Sequence, residues 1–224
     1  MEKLTLKQQM ENINFDYSKP LYHGTNKDFD GSKLKAPISK EKEHANELWD
    51  GFYITQDKKQ AIRYAVDRYI SDDEPSKIVL KEFIIDKDWL SKKLSLASYI
   101  HSNQTTVDFI RQNIKKETLA DCIAKDKDCY DCNMECPRNT DYIYGILVDG
   151  VIDDILSGIK QGQSDEELNK IIWEEIGLKR GYQLAVRASA LGSLTEVSSQ
   201  VLTENNPEVQ EIIEEYRKNG KYSL

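Results

Sequence analysis

The segment Gly51–Tyr64, "GFYITQDKKQAIRY", carries two different periodicities within fourteen residues. Gly51 to Thr55 is a short aromatic and β-branched run, the composition of a strand. Thr55 and Asp57 each offer an oxygen that can cap a helix, and in the following "KKQAIRYAVDRYI" Ala61, Tyr64, Ala65 and Arg68 share one face at helical spacing. The segment therefore predicts a strand, a tight turn and a helix. Tyr53 falls in the strand and Tyr64, eleven residues later, two turns into the helix. A unit of that length can bring two phenol rings to face one another across a flat ligand.

Working outward, an earlier strand is expected at Pro20 to Thr25, inside "LYHGTNKDF", with His23 directly before Gly24. A polar loop follows from Asn26 to about Asn46. The run "KIVLKEFIID", Lys77 to Asp86, alternates well enough for a half-buried strand. From Lys87 to Lys125 the pattern turns helical, first in "DWLSKKLSLASYI" and then in "TTVDFIRQNIKKETLADCIA". "YIYGILVDG", from Tyr142, reads as a strand closed by Asp-Gly. Two helices come next, the second opening on the capping box Ser164 to Glu167 and closing at Gly177. "GYQLAVRA", Gly181 to Ala188, is read as the last strand. The helix in "NPEVQEIIEEYRKNG" has Pro207 in its first turn and Gly220 beyond its end. Strands separated by helices, without regular βαβ alternation, point to an α+β fold. No linker composition divides the chain. The expected organisation is one domain over residues 1–205 with a helical, cysteine-rich insertion at about 87–140, and a closing helix in 206–224.

Size and charge bound the function. A chain of 224 residues can bury the core that a cleft enzyme needs. Lys and Arg number 31 against 39 Asp and Glu, and the net charge of -8 disfavours unassisted binding to nucleic-acid phosphate or anionic membrane, although local basic patches survive an acidic average. The first residues, "MEKLTLKQQMENINFDY", lack the apolar core of a signal peptide, and no run of about 18 apolar residues occurs. A soluble, cytoplasmic protein is expected. Gly-rich phosphate loops of Walker or Rossmann spacing are absent from the sequence.

Three pieces share one property: "YHGT", "GFYIT" and "GYQLAVR" each set a polar or aromatic side chain beside glycine on a short strand, where a ligand can come close to the backbone. Singly each has a bland reading, as a structural histidine, a core tyrosine and a solvent-facing glutamine. In order, and with the spacing of Tyr53 and Tyr64, they resemble the ADP-ribosyltransferases of the diphtheria-toxin and poly(ADP-ribose) polymerase type. That pattern has His-Gly-Ser/Thr ending the first strand, Gly-hydrophobic-Tyr before a helix with a second tyrosine, and a late strand opening on a polar residue, usually Glu. The likeness is strongest to a little-characterised bacterial family whose motifs run like "LYHGT", "GFYLT" and "QIxF". It spans Pro20 to Ile85 and Asp141 to Leu194.

The resemblance implies a split β-sheet core and NAD as co-substrate. It gives His23 a hydrogen bond to the adenosine-side ribose, Gly24 backbone groups to the nicotinamide carboxamide, and Thr25 a hydroxyl near the same ribose. Tyr53 and Tyr64 would sandwich the nicotinamide ring, where a cationic aromatic gains stacking and cation–π attraction. Gln183 would meet the nicotinamide-ribose 2′-OH. It departs from the usual Glu, and an amide replaces a full charge beside a developing oxocarbenium ion; Asp149 or Glu196 could supply that charge instead. Gly181, two residues earlier, removes the Glu-x-Glu pattern of arginine modification, and Lys179 and Arg180 would border the acceptor site. The expected activity is transfer of ADP-ribose to a macromolecular acceptor, protein or nucleic acid, with nicotinamide released. The resemblance also admits a toxin or translocated effector with an antitoxin or immunity partner, and no membrane partner. The rivals are an NAD glycohydrolase and a non-catalytic NAD or ADP-ribose-binding module; an RNA 2′-phosphotransferase would call for more basic residues. Oligomeric state is not encoded in any of these motifs.

All four cysteines, Cys122, Cys129, Cys132 and Cys136, fall within fifteen residues. They have the donor count of a tetrahedral zinc site, but the loop is crowded with Asp126, Asp128, Asp131 and Glu135. Reduced thiols are favoured over zinc, and zinc over an iron–sulfur cluster. His44 and His101 lack partners at ligand or triad spacing and are expected as surface or loop histidines, while Trp49, next to Asp50-Gly51, could shape one wall of the cleft but is expected in the core.

Overall fold

A computed structural model describes residues 3–34, 51–71, 76–99, 140–146, 158, 161–171 and 181–218. It is a mixed arrangement of helices and two β-sheets, as an α+β protein requires. The first sheet has the order β1 (Leu21–Thr25), β3 (Ile78–Ile85), β7 (Leu194–Leu202), all antiparallel. The second has β2 (Phe52–Ile54), β6 (Tyr182–Val186), β5 (Tyr142–Ile146) and β4 (Leu96–Tyr99), antiparallel except that β4 runs parallel to β5. The two sheets meet at one isolated bridge, where Tyr22 and Thr55 exchange both backbone hydrogen bonds at 2.7 and 3.0 Å.

The helices are α1 (Leu6–Asn12), α2 (Lys58–Ser71), α3 (Lys87–Leu90), α4 (Asp165–Lys170) and α5 (Pro207–Lys218). Local sequence starts them. Asp57 Oδ1 accepts from the Gln60 amide, 3.1 Å away, and so caps α2. Ser164 and Glu167 close a full capping box on α4, and Thr5 with Gln8 does the same on α1. Asn206 accepts from the Glu208 amide at 2.9 Å ahead of Pro207, which needs no partner for its nitrogen.

Two apolar clusters hold the layers together. Leu21, Phe83 and Ile85 of the first sheet meet Phe52, Ile54, Leu184, Val186 and Tyr142 of the second, with Leu6 and Met10 of α1 closing one end. On the other face of the first sheet, Ala61, Ile62, Ala65 and Val66 of α2 and Val209, Ile212, Ile213 and Tyr216 of α5 cover Ile78 and Leu80. Each fully buried aliphatic or aromatic side chain contributes about 1.5–3 kcal/mol. The pairing of α2 with α5 is laced by Lys58–Glu208, Lys59–Glu211 and Arg63–Glu215.

The structure corrects four expectations. β3 is not half-buried: it lies between two strands and between two apolar clusters, so seven of its eight residues escape full exposure and even Lys81 is buried. The segment Asp88–Ile100 is not one helix; α3 stops at Leu90 and Leu96–Tyr99 is a strand, because Gln9 Oε1 accepts from the Leu96 amide and Asp141 Oδ2 from the Ser95 amide, seating it beside β5. β6 is not the last strand, since the nine-residue β7 follows. On α2 the buried stripe is Ala61, Ile62, Ala65 and Val66, and Tyr64 and Arg68 lie beside it rather than within it. The long helix expected at 105–124, the cysteine cluster Cys122, Cys129, Cys132 and Cys136, and His44, Trp49, His101, Asp149, Lys179 and Arg180 lie outside the described residues. Among the described residues no helix is long and apolar enough to cross a membrane.

Candidate functional site

The site is built on the seam between the sheets. Because Tyr22 spends its N–H and C=O on Thr55, the period of two along β1 turns the N–H and C=O of Gly24 to that same edge, away from β3. Gly24 is glycine for a packing reason as well. A Cβ there would stand 1.7 Å from the carbonyl oxygen of Ala61, so α2 rests directly on the β1 backbone. Between them, Thr25 Oγ1 and Lys27 form a local turn, with Thr25 accepting from the Lys27 amide at 3.3 Å.

His23 is gripped on three sides. Its Nδ1 lies 2.7 Å from the Tyr53 carbonyl, and since a carbonyl only accepts, Nδ1 carries the hydrogen and donates. Nε2 of the neutral ring is then the lone-pair acceptor. Phe52 stacks on the imidazole at 4.4 Å between centroids and 28°, and Phe29 meets it edge-on at 5.7 Å. The histidine thereby joins β1 to the backbone of β2.

On the second sheet the pleat decides which side chains share a face. Tyr53 pairs with Ala185 and Gly145 with Gln183, so Tyr53, Ala185, Gln183, Ile143 and Gly145 project from one face while Phe52, Ile54, Leu184 and Val186 enter the core from the other. Tyr53 and Gln183 are diagonal neighbours, roughly 7–8 Å apart in such a ladder. Gln183 is buried, at 6% exposure, and the residue opposite it has no side chain. Gly181 enters this strand with φ of 78°, a conformation that favours glycine, and a Cβ there would come within 2.9 Å of Gln60 Oε1. A carboxylate two residues before Gln183 therefore cannot be restored without strain.

Tyr64, 39% exposed, is held by a different group. Arg68 lies over its ring at 5.2 Å and donates to its hydroxyl from Nε at 3.2 Å. A cation entering between Tyr53 and Tyr64 would share the Tyr64 ring with that guanidinium. Glu196 is committed elsewhere: its carboxylate accepts from Lys81 Nζ at 3.2 and 3.3 Å. The structure thus brings together His23, Gly24, Thr25, Tyr53 and Gln183 along the seam, with Tyr64 on the helix above Gly24, and turns Glu196 to Lys81.

Residues that the sequence did not single out complete the setting. Phe29 and Phe52 wall the imidazole, and behind them Lys81, 1% exposed, binds Asp28 at 3.1 Å and Ser199 at 3.1 Å as well as Glu196. The hydrogen bond and charge of Lys81 hold the Asp28 carboxyl below its ordinary range. Across the core, the Tyr142 hydroxyl donates to Ser193 Oγ at 2.6 Å, and burial pushes that phenol up to about 12. Among the described residues no cluster of three His, Cys, Asp or Glu could hold a metal ion. No family model, curated protein or solved structure matches this chain.

Proposed function

We propose that this protein is an NAD-dependent ADP-ribosyltransferase whose cleft lies along the seam of the two sheets. The observation that carries the reading is the hydrogen bond from His23 Nδ1 to the Tyr53 carbonyl. It places a hydrogen on Nδ1, so that Nε2 of the neutral ring is the acceptor that a ribose hydroxyl would meet in this reading. Two further features support it. Tyr53 and Gln183 share one face of adjacent strands, and Tyr64 stands on the helix that packs on Gly24.

In this reading His23 binds and orients the adenosine-side ribose through Nε2, and the Gly24 N–H and C=O bind the carboxamide as a strand would. Tyr53 stacks on the nicotinamide, and Gln183 receives the 2′-OH of the ribose whose bond to nicotinamide breaks. The leaving nicotinamide takes the electron pair of that bond and becomes neutral. The oxocarbenium ion left behind is captured by a nucleophilic group of a protein or nucleic-acid acceptor, which releases its proton. Incubating the purified protein with labelled NAD and candidate acceptors tests this; His23→Ala and Tyr53→Ala should each abolish nicotinamide release while the protein stays folded. Absence of both NAD binding and nicotinamide release in the wild type would end the reading.

A second reading draws on one observation. The position nearest the developing charge is a buried amide, and the described carboxylate considered as its substitute, Glu196, neutralises Lys81. A module that binds NAD or ADP-ribose without turnover has this arrangement. Calorimetry that shows NAD binding alongside unchanged NAD after prolonged incubation selects it. Free ADP-ribose as the sole product selects the glycohydrolase.

A further inference from the structure

Lys81 is a buried ammonium in a strand that could have been apolar throughout. Its neighbours Val79, Leu80 and Phe83 are buried aliphatic or aromatic groups. Burying a charge is costly unless it is paired, and an apolar side chain of similar volume would often serve stability as well. Lys81 is paired by a specific construction. β3 and β7 slip register between Glu82 and Phe83, so that Ser198 opposes Glu82 but Glu196 opposes Phe83, and Val197 is the extra residue. Without that bulge Val197 would stand opposite Phe83 on the face of Lys81; with it, Glu196 takes that place and Val197 turns out to 47% exposure. The ammonium then reaches Glu196, Ser199 and, from the loop after β1, Asp28.

The loop bond matters because of what adjoins it. His23 and Lys81 are cross-strand partners on one face of the first sheet. Phe29, next to Asp28, bridges them: its ring is edge-on to His23 at 5.7 Å and lies under the Lys81 ammonium at 4.7 Å. The same loop touches the cluster again at Gly31, where a Cβ would stand 1.6 Å from Glu196 Oε2. The described part of the loop, residues 26–34, contributes no strand to either sheet, and the charged group over the Phe29 ring is the Lys81 ammonium.

We propose that Lys81 is a positioning residue for His23. It anchors Asp28 and the Phe29 ring, and Phe29 in turn sets the imidazole between itself and Phe52. The catalytic meaning of that orientation rests on the NAD reading above, whereas the positioning itself does not. The test is therefore double. Among the imidazole carbon–proton signals of the three histidines, those lost in His23→Ala belong to the residue at issue. Lys81→Met and Asp28→Asn should both move the His23 signals in the direction given by Phe29→Leu, while Glu196→Gln, which keeps the Asp28 contact, should leave them in place. NAD titration of the same variants should show weaker binding by on the order of tenfold to a hundredfold for the first two and little change for Glu196→Gln. Asp28 is half exposed, at 51% for its side chain, so Asp28→Asn keeps the experiment decisive if Lys81→Met fails to fold. Unmoved His23 signals in folded Asp28→Asn and Lys81→Met would overturn the proposal, as would an equal shift in Glu196→Gln. Signals that move as expected in a wild-type protein that binds no NAD would uphold the positioning and retire the NAD reading.

Discussion

The two ends of the seam are built in opposite ways. At the His23 end, two aromatic rings and a backbone carbonyl meet one imidazole, and the buried Lys81 ammonium backs the outer ring, Phe29. At the Gln183 end, a single buried amide stands opposite a glycine on a five-residue strand, entered through a glycine of positive φ. The first end is fixed largely by aromatic rings, and the second by the pleat of the strand and its glycines. In the reading proposed here, the aromatic end holds the part of the ligand that does not react, and the Gln183 end holds the bond that breaks.

The sharpest way to break this contrast is Gln183→Glu. A carboxylate beside the developing cation should raise nicotinamide release by about 10²–10³-fold, the size of effect that one preorganised group has at a charged transition state. The check is single-turnover kinetics on both forms, and an unchanged rate would mean that Gln183 does not face the reacting ribose. Gly24→Ala probes the other end through stability. A methyl 1.7 Å from the Ala61 oxygen forces α2 off the sheet, and overpacking of that kind costs about 3 kcal/mol or more, read as a shift in the urea midpoint.

Tyr142→Phe should separate fold from chemistry. It leaves the Ser193 hydroxyl buried without its phenol partner, for a loss of about 1–3 kcal/mol in denaturant unfolding and no change in turnover. It also carries a pH signature. The folded phenol is pushed up from 10.0 to about 12, so the folded state keeps a proton that the unfolded chain gives up; the wild type should lose stability as pH rises from 10.0 to about 12, and Tyr142→Phe should lose less. The smallest effect belongs to Glu215→Gln on α5. Arg63 holds that carboxyl below its ordinary 4.5, a contribution present above that value and lost as pH falls through the lower, folded one. Because both partners are over a third exposed, the loss at neutral pH should be no more than about 0.5–1 kcal/mol, vanishing in acid, by thermal melts at both pH values.

What could be read from the sequence was what local chemistry determines. Asp57 before "KKQ", Ser164 three residues before Glu167, and Pro207 after Asn206 are helix starts whose mechanism needs no distant partner. The "TLKQ" capping box at Thr5 has the same signature, set within a charged and polar stretch. β4 and β7 were hidden for a different reason. "LASY" is short and has no β-branched residue, "LTEVSSQVL" loses its alternation at Ser198 and Ser199, and both are strands because β5 and β3 offer them partners far away in the chain. At the site, His23, Tyr53 and Gln183 stood out by their glycines. Lys81 did not, because a lysine in an alternating run reads as the wet face, and only the bulge at Val197 brings the partly buried Glu196 carboxylate to its side of the sheet.

Thr55 holds three structures at once, and it does so by two kinds of bond. Its main chain closes the bridge to Tyr22, while its hydroxyl donates to the Tyr182 carbonyl at 2.8 Å and accepts from the Asp57 amide at 3.1 Å. The main-chain bond is indifferent to which side chain is attached, so the join between the sheets can outlast almost any substitution at Tyr22. The hydroxyl is not indifferent. Among the twenty residues only serine could replace it in kind, so position 55 has little freedom to vary, two residues from the carbonyl that holds His23.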